Sequence, residues 1–326
     1  MSELRRDPFT GRWVIIAPER WPGFARPNPV GAIGGDMCPF CEGQEEIAGR
    51  ELLAWRPSGA ANGPGWQVRV VPNREPVLRV ESVLGEAADP LLKSLGGLGA
   101  HEVVIESPDH RATFATMSAD AVMRVLWAWR ERMRDLRRDA RLKSFIIVKN
   151  VGAAAGATLN HPHSQLLALP LVAHHLQQEM DIAGAYCDRT TACLSCDVLN
   201  QEIARTSRIV QADDEVVVFT PFASRVPFET WVVPRPHQAS FDEASEATLA
   251  VIGARLQEVM HRLHVALVSP PHTVLLHTAP VGEGAQFYHW HIEIIPRLTV
   301  VSGLAFGGIS INPMLPEKAA EVLRAT

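Results

Sequence analysis

Two histidines stand two residues apart in Asn160-His161-Pro162-His163-Ser164-Gln165, directly after a run of small residues from Asn150 to Thr158. If the segment is a strand, side chains at i and i+2 share a face, so both imidazoles are expected to point into one site. One imidazole can then hold a metal while the other attacks an electrophile. The small residues ahead of them let backbone N–H groups approach an anion closely, as phosphate-binding loops do. A nucleophilic histidine beside an anion cradle points to phosphoryl or nucleotidyl transfer.

A His-x-His pair by itself is more often packing than chemistry, so its neighbours decide. Cys38-Pro39-Phe40-Cys41 supplies two thiolates able to share one zinc, and Ser107-Pro108-Asp109-His110 supplies a further imidazole. Cys38, Cys41, His110 and His161 would close a tetrahedral site. A thioredoxin-type redox pair normally opens a helix after a strand, whereas this pair sits in a Pro- and Gly-rich stretch, which favours zinc. The same motifs recur in order in the second half. Cys193-Leu194-Ser195-Cys196 answers the first cysteine pair, Pro234-Arg235-Pro236-His237 answers the segment ending in His110, and His289-Trp290-His291 answers the first histidine pair. The cysteine pairs are further apart than the histidine motifs, which places an insertion early in the first half, at Pro57 to Gly65. The chain reads as a tandem duplication of one α+β unit.

The elements that must position these groups follow from periodicity. Ser118 is an expected N-cap for a helix to Arg141, with Val122, Val125, Leu126, Trp129, Met133 and Leu136 as the buried stripe and Arg130, Arg134 and Arg138 on a solvated face. Its counterpart runs from about Glu243 to Leu263. Strands are expected at Glu102 to Ile105, Phe145 to Val148, Val216 to Phe219, Thr230 to Val233 and Val274 to His277. No series of β-α-β crossovers is visible, so the expected fold class is α+β, each half an antiparallel sheet with a covering helix. The halves are placed at residues 1–176 and 177–326, with the linker near Pro170 to Asp181.

The chain has 326 residues, 47% apolar and 21% charged, enough for two substantial cores. A formal net charge of −5 argues against a broad nucleic-acid surface. No apolar run reaches membrane-spanning length, and the first residues are not followed by a signal-peptide core, so no membrane partner and a cytoplasmic location are expected. Four of the five cysteines form the two Cys-x-x-Cys pairs, leaving Cys187, which suits metal thiolates better than disulfides.

Asn150 through Gln165, the Cys-Pro-Phe-Cys motif, the segment ending in His110, and Arg12-Trp13-Val14-Ile15 leading to Pro18-Glu19-Arg20 together resemble the double-domain branch of the histidine-triad superfamily. This branch comprises the galactose-1-phosphate uridylyltransferases and the related ADP-glucose phosphorylases. The resemblance implies His163 as the nucleophile, forming a covalent nucleotidyl-histidine in a ping-pong cycle on a nucleotide sugar and a sugar 1-phosphate. It implies Gln165 as an amide that hydrogen-bonds the transferred phosphate, where hydrolytic relatives carry a third histidine. It also implies Asn150, Gly156 and Thr158 as phosphate contacts, Arg20 and Asn73 as binders of the nucleotide sugar, and a homodimer.

In the second half, Glu293 stands where Gln165 stands, and a carboxylate there would repel a phosphate, so that half is expected to be non-catalytic. Cys193, Cys196, His237 and His289 form the preferred second zinc set; Glu179, His277, His289 and His291 form a competing set resembling the second metal site of other uridylyltransferases. The Lys and Gln that contact the sugar phosphate in galactose-handling members have no counterpart between Val301 and Asn312, and Gly307 to Pro313 resembles the phosphorylase-like branch. The expected function is a UDP-glucose:hexose-1-phosphate uridylyltransferase, with an NDP-sugar phosphorylase using orthophosphate as the alternative. A zinc-stabilised nucleotide-binding protein without turnover is the rival of another class.

Overall fold

The structure, a computed structural model, describes residues 3–6, 13–16, 38–85, 89, 91–298 and 303–326. The first half contains β1 (Glu3–Arg6), β2 (Trp13–Ile16), α1 (Glu45–Ala48), β3 (Leu53–Trp55), β4 (Val68–Pro72), β5 (Ser94–Gly96), β6 (Ala100–Ile105), α2 (Ala119–Leu136), β7 (Ser144–Val151) and β8 (His163–Leu169). The second contains α3 (His174–Thr190), α4 (Leu194–Arg205), β9 (Ile209–Ala212), β10 (Val216–Phe219), β11 (Thr230–Pro234), α5 (Glu246–Leu267), β12 (His272–His277), β13 (His291–Pro296), α6 (Gly303–Phe306) and α7 (Pro316–Ala325). None of the described helices is long and apolar enough to cross a membrane.

Ten strands form one sheet in the order β3-β4-β6-β8-β7-β12-β13-β11-β10-β9. The order is a palindrome of the duplication: β3, β4, β6, β8 and β7 correspond to β9, β10, β11, β13 and β12. All named strand pairs are antiparallel, and β7 pairs with β12, from His272 opposite Val151 to Leu276 opposite Ile147. The α+β fold class is therefore as the sequence implies, with the two half-sheets hydrogen-bonded into one. A separate small sheet has the order β2-β1-β5.

Helices α2 and α5 cover this sheet because each carries one apolar stripe. Val122, Val125, Leu126, Trp129 and Met133 of α2 are buried with Leu249, Ile252, Leu256, Val259 and Leu263 of α5 in one shared core. Ser118 accepts the Ala121 N–H at 3.2 Å and Ser245 accepts the Thr248 N–H at 3.0 Å. Each cap stabilises by about 1 kcal/mol. The second helix starts at Glu246, not Glu243, because Phe241–Glu243 forms a short 3-10 turn ahead of the cap. Gly253 lets the helices approach closely: a Cβ there would lie 3.0 Å from the Met123 backbone.

One sequence expectation needs correction. Arg130 does not lie on a solvated face: it is buried and donates to the Ala244 carbonyl at 2.9 Å, whereas Arg134 is exposed as expected and donates to the Asp242 carbonyl at 2.7 Å. Both tie α2 to the turn that opens α5, and Arg138 is exposed like Arg134. The segment expected as a linker, near Pro170 to Asp181, includes the first turns of α3, which begins at His174.

Candidate functional site

Cys38 and Cys41 occupy the turn before α1, His110 the turn after β6, and His161 the loop before β8. The four converge. Cys41 Sγ lies 3.4 Å from His110 Nδ1 and 3.6 Å from His161 Nδ1, Cys38 Sγ lies 3.7 Å from His161 Nδ1, and the two Nδ1 atoms are 3.3 Å apart. Tetrahedral zinc with ordinary Zn–S and Zn–N bonds sets S–N and N–N separations of about 3.6 and about 3.3 Å. The fit is close. His161 Nε2–H donates to the Ser107 carbonyl at 2.7 Å, which leaves the Nδ1 lone pair for a metal. Burial pushes the His161 pKa down to about 4 and so keeps the ring neutral, as a ligand must be.

The second half builds the same cluster. Cys196 Sγ lies 3.4 Å from both His237 Nδ1 and His289 Nδ1, and Cys193 completes the group. His289 Nε2–H donates to the Pro234 carbonyl at 2.9 Å and His237 Nε2–H to the Ala285 carbonyl at 3.0 Å. Ser107 and Pro234 hold equivalent places in the two motifs, so the outer-shell bond is duplicated with the ligands. The competing set does not assemble as one group: His289 turns to the cysteines, while Glu179 meets His277 at 3.0 Å.

His163 differs from His161 in environment. The strand begins at His163, not before it, because Pro162 has no N–H to give the ladder. The expectation of two imidazoles in one site is corrected accordingly: His161 faces the cysteines and His163 lines a separate cleft, with the Phe40 ring 6.0 Å from one and 5.3 Å from the other. The cleft has a volume of about 210 Å³, and Asn73, Thr158, His163 and Gln165 meet in it. His163 Nδ1–H donates to the His161 carbonyl at 2.8 Å, so the Nε2 lone pair is the nucleophilic one. Burial lowers the His163 pKa, with Lys149 lowering it further, so the ring is neutral at physiological pH.

Other expected contacts fall elsewhere. Asn150 accepts a hydrogen bond from the Thr273 hydroxyl at 3.0 Å, and neither Asn150 nor Gly156 is among the residues lining the cleft. In the small-residue loop the N–H groups of Ala155, Gly156 and Ala157 bond to carbonyls of the loop itself, which leaves fewer amides for an anion than composition implied. Arg20 lies outside the described residues.

Three features escaped sequence reasoning. His101 contacts Gln165, Asn73 and Val77 from β6; a histidine in an otherwise apolar strand was the available signal. Lys149 and Glu106 form a buried ion pair between β7 and the end of β6, signalled by a lysine inside an apolar run. Arg225 reaches Glu293 at 2.6 Å, and no local pattern announces that contact.

The second-half cleft is built for something else. His291 is sandwiched between the Trp231 ring at 4.4 Å and the His277 ring at 4.7 Å. Glu293 is hydrogen-bonded to Arg225 and lies 3.3 Å from His277. Although burial pulls the His277 pKa down, Glu179 and Glu293 push it up to about 9, while His277 and Arg225 keep Glu293 ionised against the cost of its burial. Glu293 is thus held as a carboxylate paired with Arg225 and His277 beside this ring stack.

With this geometry in hand, comparison with known proteins is direct. Residues 1–173 match the family model of the galactose-1-phosphate uridyl transferase N-terminal domain, and residues 179–326 match that of the C-terminal domain. The chain belongs to the galactose-1-phosphate uridyl transferase family. Within it, ADP-glucose phosphorylase of Arabidopsis thaliana is 31% identical over 336 residues, covering 99% of this chain and 92% of the relative. Galactose-1-phosphate uridylyltransferase of Thermotoga maritima is 26% identical, covering 100% and 99%. A solved uridylyltransferase superposes with a TM-score of 0.83 at 26% identity, covering 99% of this chain and 97% of the other. The Arabidopsis thaliana ADP-glucose phosphorylase with bound ADP-glucose gives 0.79 at 30% identity, covering 100% and 99%. This member of the uridyl transferase family is therefore a nucleotidyltransferase-type protein, and its relatives include both transferases and a phosphorylase.

Proposed function

We propose that the protein transfers a nucleoside monophosphate from a nucleotide sugar through a covalent bond to His163. The observation that carries this reading is the tautomer: with Nδ1–H given to the His161 carbonyl, Nε2 holds a lone pair on the wall of the cleft. Nε2 attacks the α-phosphorus, the P–N bond forms as the bond to the bridging oxygen breaks, and a sugar 1-phosphate leaves. A phosphate acceptor then attacks the same phosphorus and releases Nε2. Gln165 and Thr158 supply donors for the non-bridging oxygens, whose charge grows in the transition state. Replacing Gln165 by Ala is expected to slow both half-reactions about ten- to a thousandfold in rapid-quench measurements; unchanged rates would remove it from the site.

Both Cys₂His₂ clusters are assigned to zinc. That ion would be structural, with all four positions filled by protein, and supplies rigidity where the chain enters β8. Because burial lowers the His163 pKa, the reactive neutral imidazole should be lost at lower pH than for an ordinary imidazole, so the rate should fall less between pH 7.5 and about 6 than a group titrating at 6.5 would allow. The rate of nucleotidylation across that range measures this; a decline centred near the ordinary value of 6.5 would contradict it.

The acceptor defines two versions of the reaction. Transfer to a hexose 1-phosphate, as in the uridylyltransferases, is the first reading and is supported by both family-model matches. Transfer to orthophosphate is favoured by the 31% identity with an ADP-glucose phosphorylase and by the absence of Lys and Gln between Val301 and Asn312 in the sequence. Incubation with UDP-glucose or ADP-glucose, followed by orthophosphate or galactose 1-phosphate, separates them by which NDP or nucleotide sugar is released.

A further inference from the structure

Gln165 can serve a transferring phosphate only if its amide points the right way, N–H₂ toward the cleft and carbonyl oxygen away. We infer that His101 sets this orientation and is a positioning residue for the nucleotidyl transfer proposed above, a reading on which this inference rests. His101 lies on β6 next to β8, where Val103 pairs with Gln165, so its side chain sits diagonally across from the amide. Its Nδ1 accepts the Val77 backbone N–H at 3.2 Å. An imidazole nitrogen that accepts cannot carry a proton, so the proton of the neutral ring is on Nε2. Nε2–H lies 2.8 Å from Gln165 Oε1 and donates to it. The carbonyl end of Gln165 is thereby occupied, and both amide hydrogens remain for other acceptors.

The same proton decides the role of Asn73. Its Nδ2 lies 3.1 Å from His101 Nε2, but two donors do not bond each other. Asn73 Oδ1 instead accepts the Glu75 N–H at 2.9 Å, so its Nδ2 stays a donor held beside the His101 ring. One imidazole, keyed by one backbone N–H, thus leaves two amide donors on the wall that also carries His163. The His101 ring is buried, so water does not compete for these bonds. With the ring removed, Gln165 is free to rotate and present its oxygen, which repels a phosphoryl oxygen instead of stabilising it.

The test has two independent arms. In the first, nucleotidylation of the full-length protein by UDP-glucose and ADP-glucose is timed by rapid quench and mass spectrometry. His101→Phe is expected to lower this rate about ten- to a hundredfold, less than complete removal of a charge-stabilising donor, while equilibrium affinity for the nucleotide sugar changes by no more than about twofold. His101→Gln, which retains an N–H donor, should recover most of the rate. In a Gln165→Ala background, His101→Phe should add less than about a twofold loss, because the two act as one unit. An additive loss, or an undiminished rate in His101→Phe alone, overturns the proposal. The second arm is ¹⁵N NMR of the His101 ring in the unaltered protein. Protonated Nε2 and accepting Nδ1 are expected, and the reverse tautomer overturns the proposal even if His101→Phe fails to fold. Should the unaltered protein form no adduct, the reading of His163 fails, and the tautomer still decides whether His101 orients the amide.

Discussion

His163→Ala is expected to abolish the covalent adduct and to lower turnover by about 10⁴-fold or more, with little change in fold. The argument is one of missing substitutes. Of the polar side chains that line the cleft with His163, Asn73 and Gln165 are amides, Thr158 is a hydroxyl, Arg74 is a cation, and Glu75 is a carboxylate whose negative charge disfavours attack on an anionic phosphate. None matches a neutral imidazole as a nucleophile near pH 7. Once the nucleophile is gone, correctly placed amides retain affinity for the nucleotide sugar without offering a route to products, so the loss falls on the chemical step. Intact-mass measurement after incubation with UDP-glucose or ADP-glucose reads the result: the unaltered protein gains one UMP or AMP, and His163→Ala gains neither. An adduct that survives the substitution would place the chemistry elsewhere. Because the added mass also identifies the base, the same experiment selects between the donors.

How much of this was legible in the sequence depends on the distance over which each contact is encoded. The two Cys/His groupings were readable because the residue types and the repeated order of motifs are sufficient to name them, and both converge. The caps at Ser118 and the apolar stripe of α2 were readable because a helix encodes them within one or two turns. The separation of His161 from His163 was available in principle from Pro162, whose missing N–H ends the ladder, but the i, i+2 rule for strands was applied across it. Arg130 was misread because its partner, the Ala244 carbonyl, comes from the other half of the duplication, and helical periodicity carries no information about what lies opposite. His101 was missed for the same reason: its contact with Gln165 exists only through the pairing register of β6 and β8. The Asn150 amide oxygen accepts from the Thr273 hydroxyl of β12, a strand contributed by the second half, a contact no local pattern encodes.

The second large effect concerns the cysteines, and it separates the two clusters. Cys38→Ser is expected to release one of two zinc ions and to slow nucleotidylation by more than about tenfold, whereas Cys196→Ser should release the other ion and leave adduct formation close to normal. The difference follows from connectivity. The His161 backbone carbonyl accepts the His163 Nδ1–H at 2.8 Å, and the His161 ring belongs to the Cys38 cluster, so loss of that ion frees the acceptor that fixes the nucleophile's tautomer. Cys196 instead anchors His237 and His289, next to the cleft lined by Glu179, His289 and His291. Structural zinc binding is itself folding free energy, with values of about 10–16 kcal/mol in isolated zinc fingers. Even if half of that is recovered by packing in a chain this large, either variant should melt about 10 °C lower. Metal analysis alongside thermal melts checks both parts. If Cys38→Ser keeps two ions, the first ligand set is wrong; if Cys196→Ser loses adduct formation as severely as Cys38→Ser, the clusters are not separable and the connectivity argument fails.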